Sequence, residues 1–67
     1  MLTLEIKGMH RRSQLLQVRA LVGENRLYSK GTDPNLYVDY RLRSEAHLVL
    51  VSLNHLHGVK ARILGDG

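Results

Sequence analysis

The sequence predicts a small α+β domain, and three observations carry that reading. Leu36 to Leu64 reads as strand, helix and strand, each boundary marked by a chemically apt residue. Leu2, Leu4 and Ile6 alternate with Thr3, Glu5 and Lys7, the two-residue period of a strand with one buried face. Between these segments Gly31-Thr32-Asp33-Pro34-Asn35 is a dense run of turn formers that reverses the chain.

Taken in order, the first strand ends at Gly8. Ser13 is placed to cap a helix carrying Leu15, Leu16, Val18, Leu21 and Val22, with Gly23 closing it. The same residues 13–22 also fit a strand, because Leu16, Val18, Ala20 and Val22 alternate with Gln17, Arg19 and Leu21. Leu27 and Tyr28 begin a short second strand, joined by the five-residue turn to a third, Leu36 to Tyr40. Ser44 is placed to cap a second helix, with Glu45 in the first turn where its charge complements the macrodipole. Ala46, Val49, Leu50, Leu53 and Leu56 fall at helical spacing, and Gly58 is the expected left-handed terminator. Val59, Ala61 and Ile63 against Lys60 and Arg62 form a fourth strand, and Gly65-Asp66-Gly67 is expected to fray.

The order βαββαβ contains two similar halves, since Leu2 to Ile6 recurs as Leu36 to Tyr40. Two right-handed split βαβ units interleave into a ferredoxin-like, four-stranded antiparallel sheet with both helices on one face. The first and third strands are then central. Leu2, Leu4, Ile6, Leu36, Val38 and Tyr40 meet the helices, and Thr3, Glu5, Lys7, Tyr37, Asp39, Arg41, Lys60 and Arg62 line an open face.

A chain of 67 residues makes one domain, 1–67, and buries only roughly 60% of the surface its unfolded form exposes. With no cysteine a disulfide scaffold is excluded, which makes homodimerisation the natural route to a larger core. The N-terminus lacks a basic segment followed by an apolar run, so it does not read as a signal peptide, and no apolar run reaches the ~18 residues that span a bilayer. The chain reads as cytoplasmic.

Ten Lys and Arg against six Asp and Glu give a formal charge of +4. Only Arg11 and Arg12 are adjacent, so the pattern favours solvated faces over a phosphate-binding stripe. On the predicted open face Tyr37 is the lone aromatic, flanked by Glu5 and Asp39, whose charges repel phosphate and disfavour base stacking of the kind RNA-binding sheets use. His10, His47, His55 and His57 do not assemble a metal site: His47 and His55 are ~12 Å apart along a helix axis, and no cysteine assists them. Ser13, Ser29, Ser44 and Ser52 lack a nucleophile context. The residues therefore predict no catalytic site, no metal and no cofactor.

The segment Ser44-Glu45-Ala46-His47-Leu48-Val49, followed by Leu53, Gly58-Val59-Lys60-Ala61-Arg62 and Gly65-Asp66-Gly67, resembles a prokaryotic family described as signal-transducing and related in fold to PII regulators. In that family a strand leads into an E-A-H-L-V helix, a leucine-rich middle and then G-I-x-A. The match spans Tyr37 to Gly65, and residues 1–35 do not show the family pattern. The resemblance implies a ferredoxin-like regulatory or interaction module and transfers no catalytic residue. Combined with the composition, it points to a non-enzymatic module that binds a protein or a second copy of itself, with Tyr37, Arg41, His47 and Arg62 as candidate partner-binding residues. The alternative is a small basic nucleic-acid binder using Arg11, Arg12, Arg19 and Arg26.

Overall fold

A computed structural model describes residues 1–66. The elements are β1 (Leu2–Lys7), α1 (Arg12–Val22), a single 3-10 turn (Glu24–Arg26), β2 (Leu36–Tyr40), α2 (Arg43–Asn54) and β3 (Lys60–Asp66). Among the described residues the sheet has three antiparallel strands in the order β2-β1-β3. The chain is thus α+β with two helices, and the segment open to both readings is helical. Its heptad-like spacing wins because Val18 and Val22, one turn apart, both bury into the core.

Three strands replace the four predicted. Residues 24–26 wind into the 3-10 turn, with Arg26 N–H donating to the Gly23 carbonyl at 3.1 Å, so little chain remains to extend beside β2. Only Tyr28 stays in register, exchanging both backbone hydrogen bonds with Tyr37 as an isolated bridge. β1 is central as expected, whereas β2 is an edge strand with that bridge on its outer side. The expected fraying of the C-terminus is also corrected. Gly65 pairs with Thr3 and Asp66 with Leu2, after a register shift that leaves Leu64 as a bulge, and Gly67 lies outside the described residues.

Both helices and the sheet share one core. Leu2, Leu4 and Ile6 of β1, Val38 and Tyr40 of β2, Val18 and Val22 of α1, Ala46 and Leu53 of α2, and Val59 form a single buried cluster. Leu36 is only half-buried.

The predicted caps are displaced. Each helix begins a residue before the serine, at Arg12 and Arg43, with Arg11 and Leu42 in extended backbone as the N-caps. Arg11 N–H is satisfied instead by Gln14 Oε1 at 3.0 Å, half of a capping box. α2 ends at Asn54, four residues before Gly58. Val59 N–H donates to the Leu56 carbonyl at 3.2 Å, which puts Gly58, φ +78°, at the turn position that reserves positive φ for glycine.

Candidate functional site

Three surfaces bring chemistry-bearing side chains together. The first is the sheet face opposite the helices, which is closed rather than open. Tyr37 is 2% exposed, so it is no platform for a partner, and its assignment as a partner-binding residue is corrected. Residues 28–33 fold across it. Tyr28 lies over Tyr37 with ring centroids 5.9 Å apart, and the Lys30 ammonium sits 4.3 Å from the Tyr37 ring. The Tyr37 hydroxyl donates to Asp33 and lies 3.3 Å from Glu5 Oε2. That bond to a carboxylate, with burial second, pushes the Tyr37 pKa up to about 12. Beside it Thr3 Oγ1 and Tyr28 OH both donate to Asp39 Oδ1, at 2.7 and 2.9 Å. Glu5 and Asp39, expected to face solvent, are thereby consumed in holding the face together.

The second surface is a groove of about 780 Å³ at the end of the β1–β3 pair, walled by Glu5, Lys7, the 54–59 segment, Lys60 and Arg62. Strand register places Glu5 opposite Arg62 and Lys7 opposite Lys60. Arg62 Nε donates to Glu5 Oε1 at 2.8 Å, and Lys7 Nζ stands 3.4 Å from the same oxygen. The hydrogen bond from Arg62, then the one from Lys7, hold the Glu5 carboxyl below its ordinary range against the opposing effect of burial. The floor is fixed from two sides. Asn54 exchanges two hydrogen bonds with the Ala61 backbone, at 2.9 and 3.1 Å, acting as a one-residue strand on the outer edge of β3. Gln14 Nε2 donates to the His57 carbonyl at 3.0 Å, tying α1 to the turn.

The third surface is the outer face of α2. Leu48 is 70% and Val51 53% exposed, on the side opposite Ala46 and Leu53. His47 is exposed one turn before Val51, and His55, one turn after it, places Nδ1 2.7 Å from the Val51 carbonyl.

The remaining predicted residues scatter. Arg41 is exposed just past β2 and Arg62 is committed to Glu5. Of the basic set, Arg11 and Arg12 are exposed where α1 begins, and Arg19 lies in its last turn. Arg26 serves the fold: its guanidinium is 4.4 Å from the Tyr40 ring centroid and donates to the Asp39 carbonyl at 3.1 Å. Three of the four arginines thus belong to α1 or its N-cap, and the fourth lies in the 3-10 turn that follows. Among the described residues no group of three metal-ligating side chains assembles, and no helix is long and apolar enough to cross a membrane.

Sequence reasoning placed Lys7 and Lys60 on a face but not as a pair, because register is a property of two strands. It passed over Tyr28 as the start of a short strand. Comparison with known proteins finds no matching family model, no matching curated protein and no matching solved structure.

Proposed function

We propose that this chain is a non-enzymatic binding module that pairs with a second copy of itself through the outer face of α2 and serves a regulatory or protein-interaction role. The observation that carries this reading is the exposure of Leu48 and Val51, three residues apart on one face. Two apolar side chains side by side on an otherwise polar helix surface gain by being covered, and a thin-cored domain gains most. A stable dimer buries roughly 800 Å² per partner, about a sixth of the 4657 Å² this chain exposes. The edge of β3 is a poorer candidate, since Asn54 occupies it at Ala61 and the bulge at Leu64 interrupts it. The resemblance to signal-transducing proteins over Tyr37 to Gly65 supports a regulatory role, and the absence of cysteine supports a cytoplasmic one. We also infer that the sheet follows a ferredoxin-like arrangement: β1 is central, and Tyr28 bridges β2 where a fourth strand would stand.

Sedimentation velocity from low micromolar to near-millimolar protein tests the reading. Mass should rise from 7.6 kDa toward twice that value, and Leu48→Glu should hold the chain monomeric while leaving its fold intact. A monomer at all concentrations sinks the proposal.

A nucleic-acid reading draws support from one observation: Arg11, Arg12, Arg41 and Arg43 are exposed and make no ion pair among the described residues. Binding of that kind weakens steeply with salt. Undetectable affinity for DNA and RNA at low salt would remove it.

A further inference from the structure

Lys7 and Lys60 are Cα partners across the β1–β3 ladder and both wall the groove. Like charges directly opposite one another on a strand pair repel, and a carboxylate between them would relieve this. The available carboxylate is already committed. Glu5 Oε1 is held by Arg62 at 2.8 Å, Lys7 reaches the same oxygen only at 3.4 Å, and Lys60 makes no ion pair among the described residues. Among the groove's lining residues three cations, Lys7, Lys60 and Arg62, stand against one carboxylate, Glu5, and Asp33 beyond the lining also lies within Coulombic reach of Lys7.

The geometry points to a binding site for a small phosphorylated molecule, its phosphoryl group lying between Lys7 and Lys60 and its organic body against the half-buried Leu56. A phosphate monoester carries a charge of about −1.5 to −2 at neutral pH, opposite in sign to the lysines of this wall. The volume of about 780 Å³ falls within the range of small-molecule sites and exceeds what a bare phosphate fills. His57 and Gly58 at the rim stand on the turn that Gln14 anchors, so this part of the wall is held without the ligand.

The test is amide chemical-shift titration of the isotope-labelled chain with phenyl phosphate, and separately with inorganic phosphate. Phenyl phosphate should produce saturable shifts confined to Lys7 and the 57–62 segment, with inorganic phosphate weaker at the same residues. Lys60→Gln and Lys7→Gln, both at exposed positions, should each weaken phenyl phosphate by about fivefold or more. Arg41→Gln, away from the groove, should leave it unchanged. Shifts that never saturate, that spread equally over Arg11, Arg12 and Arg41, or that persist undiminished in both lysine variants would overturn the site. Equal affinity for the two probes would overturn the apolar wall's part in it.

Discussion

Tyr28 and Tyr37 exchange both backbone hydrogen bonds and stack their rings 5.9 Å apart, tilted by 31°, on the sheet face away from the helices. This one pair turns an open sheet into a covered one. The bridge fixes the backbone of residue 28, the ring contact buries Tyr37, and the Tyr28 hydroxyl reaches on to Asp39. Tyr28→Ala is expected to lose the ring contact and the hydrogen bond together, about 1–3 kcal/mol in all, read as a lower urea midpoint with an unchanged slope. An unchanged midpoint would mean that the cover contributes nothing to folding.

Backbone approach sets a second expectation. Gly8 has φ +87°, and a β-carbon there would stand 2.1 Å from the Gly58 carbonyl oxygen. Gly31, φ +57°, has nothing within 4 Å of the same position. Gly8→Ala should therefore cost more than ~3 kcal/mol, or abolish folding, because backbone must move. Gly31→Ala should cost only about 1 kcal/mol, from the left-handed conformation alone. Comparable thermal midpoints for the two variants would contradict the close approach.

Acid should loosen the cover. Asp33 is held below its ordinary 3.8 by the hydrogen bond from Tyr37 and then by the Asn35 N–H, and Glu5 below its ordinary 4.5 by Arg62. The folded state thus binds fewer protons than the unfolded chain as carboxylates begin to titrate. The stabilisation is fully present above those ordinary values and is lost as pH falls through the lower folded ones. Far-UV circular dichroism along an acid titration reads the loss, and Asp33→Asn, which keeps an acceptor for Tyr37 but cannot titrate, should make the transition shallower.

Alkali works through Tyr37 with the opposite sense. Its folded pKa of about 12 lies above the ordinary 10.0, so the folded chain keeps a proton that the unfolded chain releases. Stability is whole below pH 10 and declines as pH rises toward 12. Absorbance at the phenolate band should resolve one tyrosine titrating last, and Tyr37→Phe should remove that step.

The brace on β3 gives a fifth expectation. Asn54→Ala removes both hydrogen bonds to Ala61, leaving a strand-edge N–H and C=O to solvent. A cost of about 1–2 kcal/mol is expected, with faster amide exchange at Ala61 than at its neighbours. Exchange unaltered at Ala61 would place the bond outside the native ensemble.

Helices and strands were readable wherever periodicity carried them. The buried members of α2, Ala46 and Leu53, are seven residues apart, and β1 buries its apolar residues Leu2, Leu4 and Ile6 at every second position, with Glu5 between them buried on the opposite face. Their ends were less readable. Ser13 and Ser44 are good caps by residue type, yet extended backbone at Arg11 and Leu42 starts each helix earlier, and Gln14 reaches back to accept from the Arg11 N–H. Capping depends on the direction in which the preceding segment delivers the chain, which residue type does not encode.

The sequence by itself determined the second helix, the central strand β1 and the lack of any disulfide, because these follow from apolar period and composition, while it left residues 13–22 open between helix and strand. Only the tertiary structure decided that Tyr37 is buried, that Glu5 belongs to Arg62, and that Lys7 faces Lys60. Each is a relation between residues at least nine positions apart, created when strand register and a folded loop bring them together.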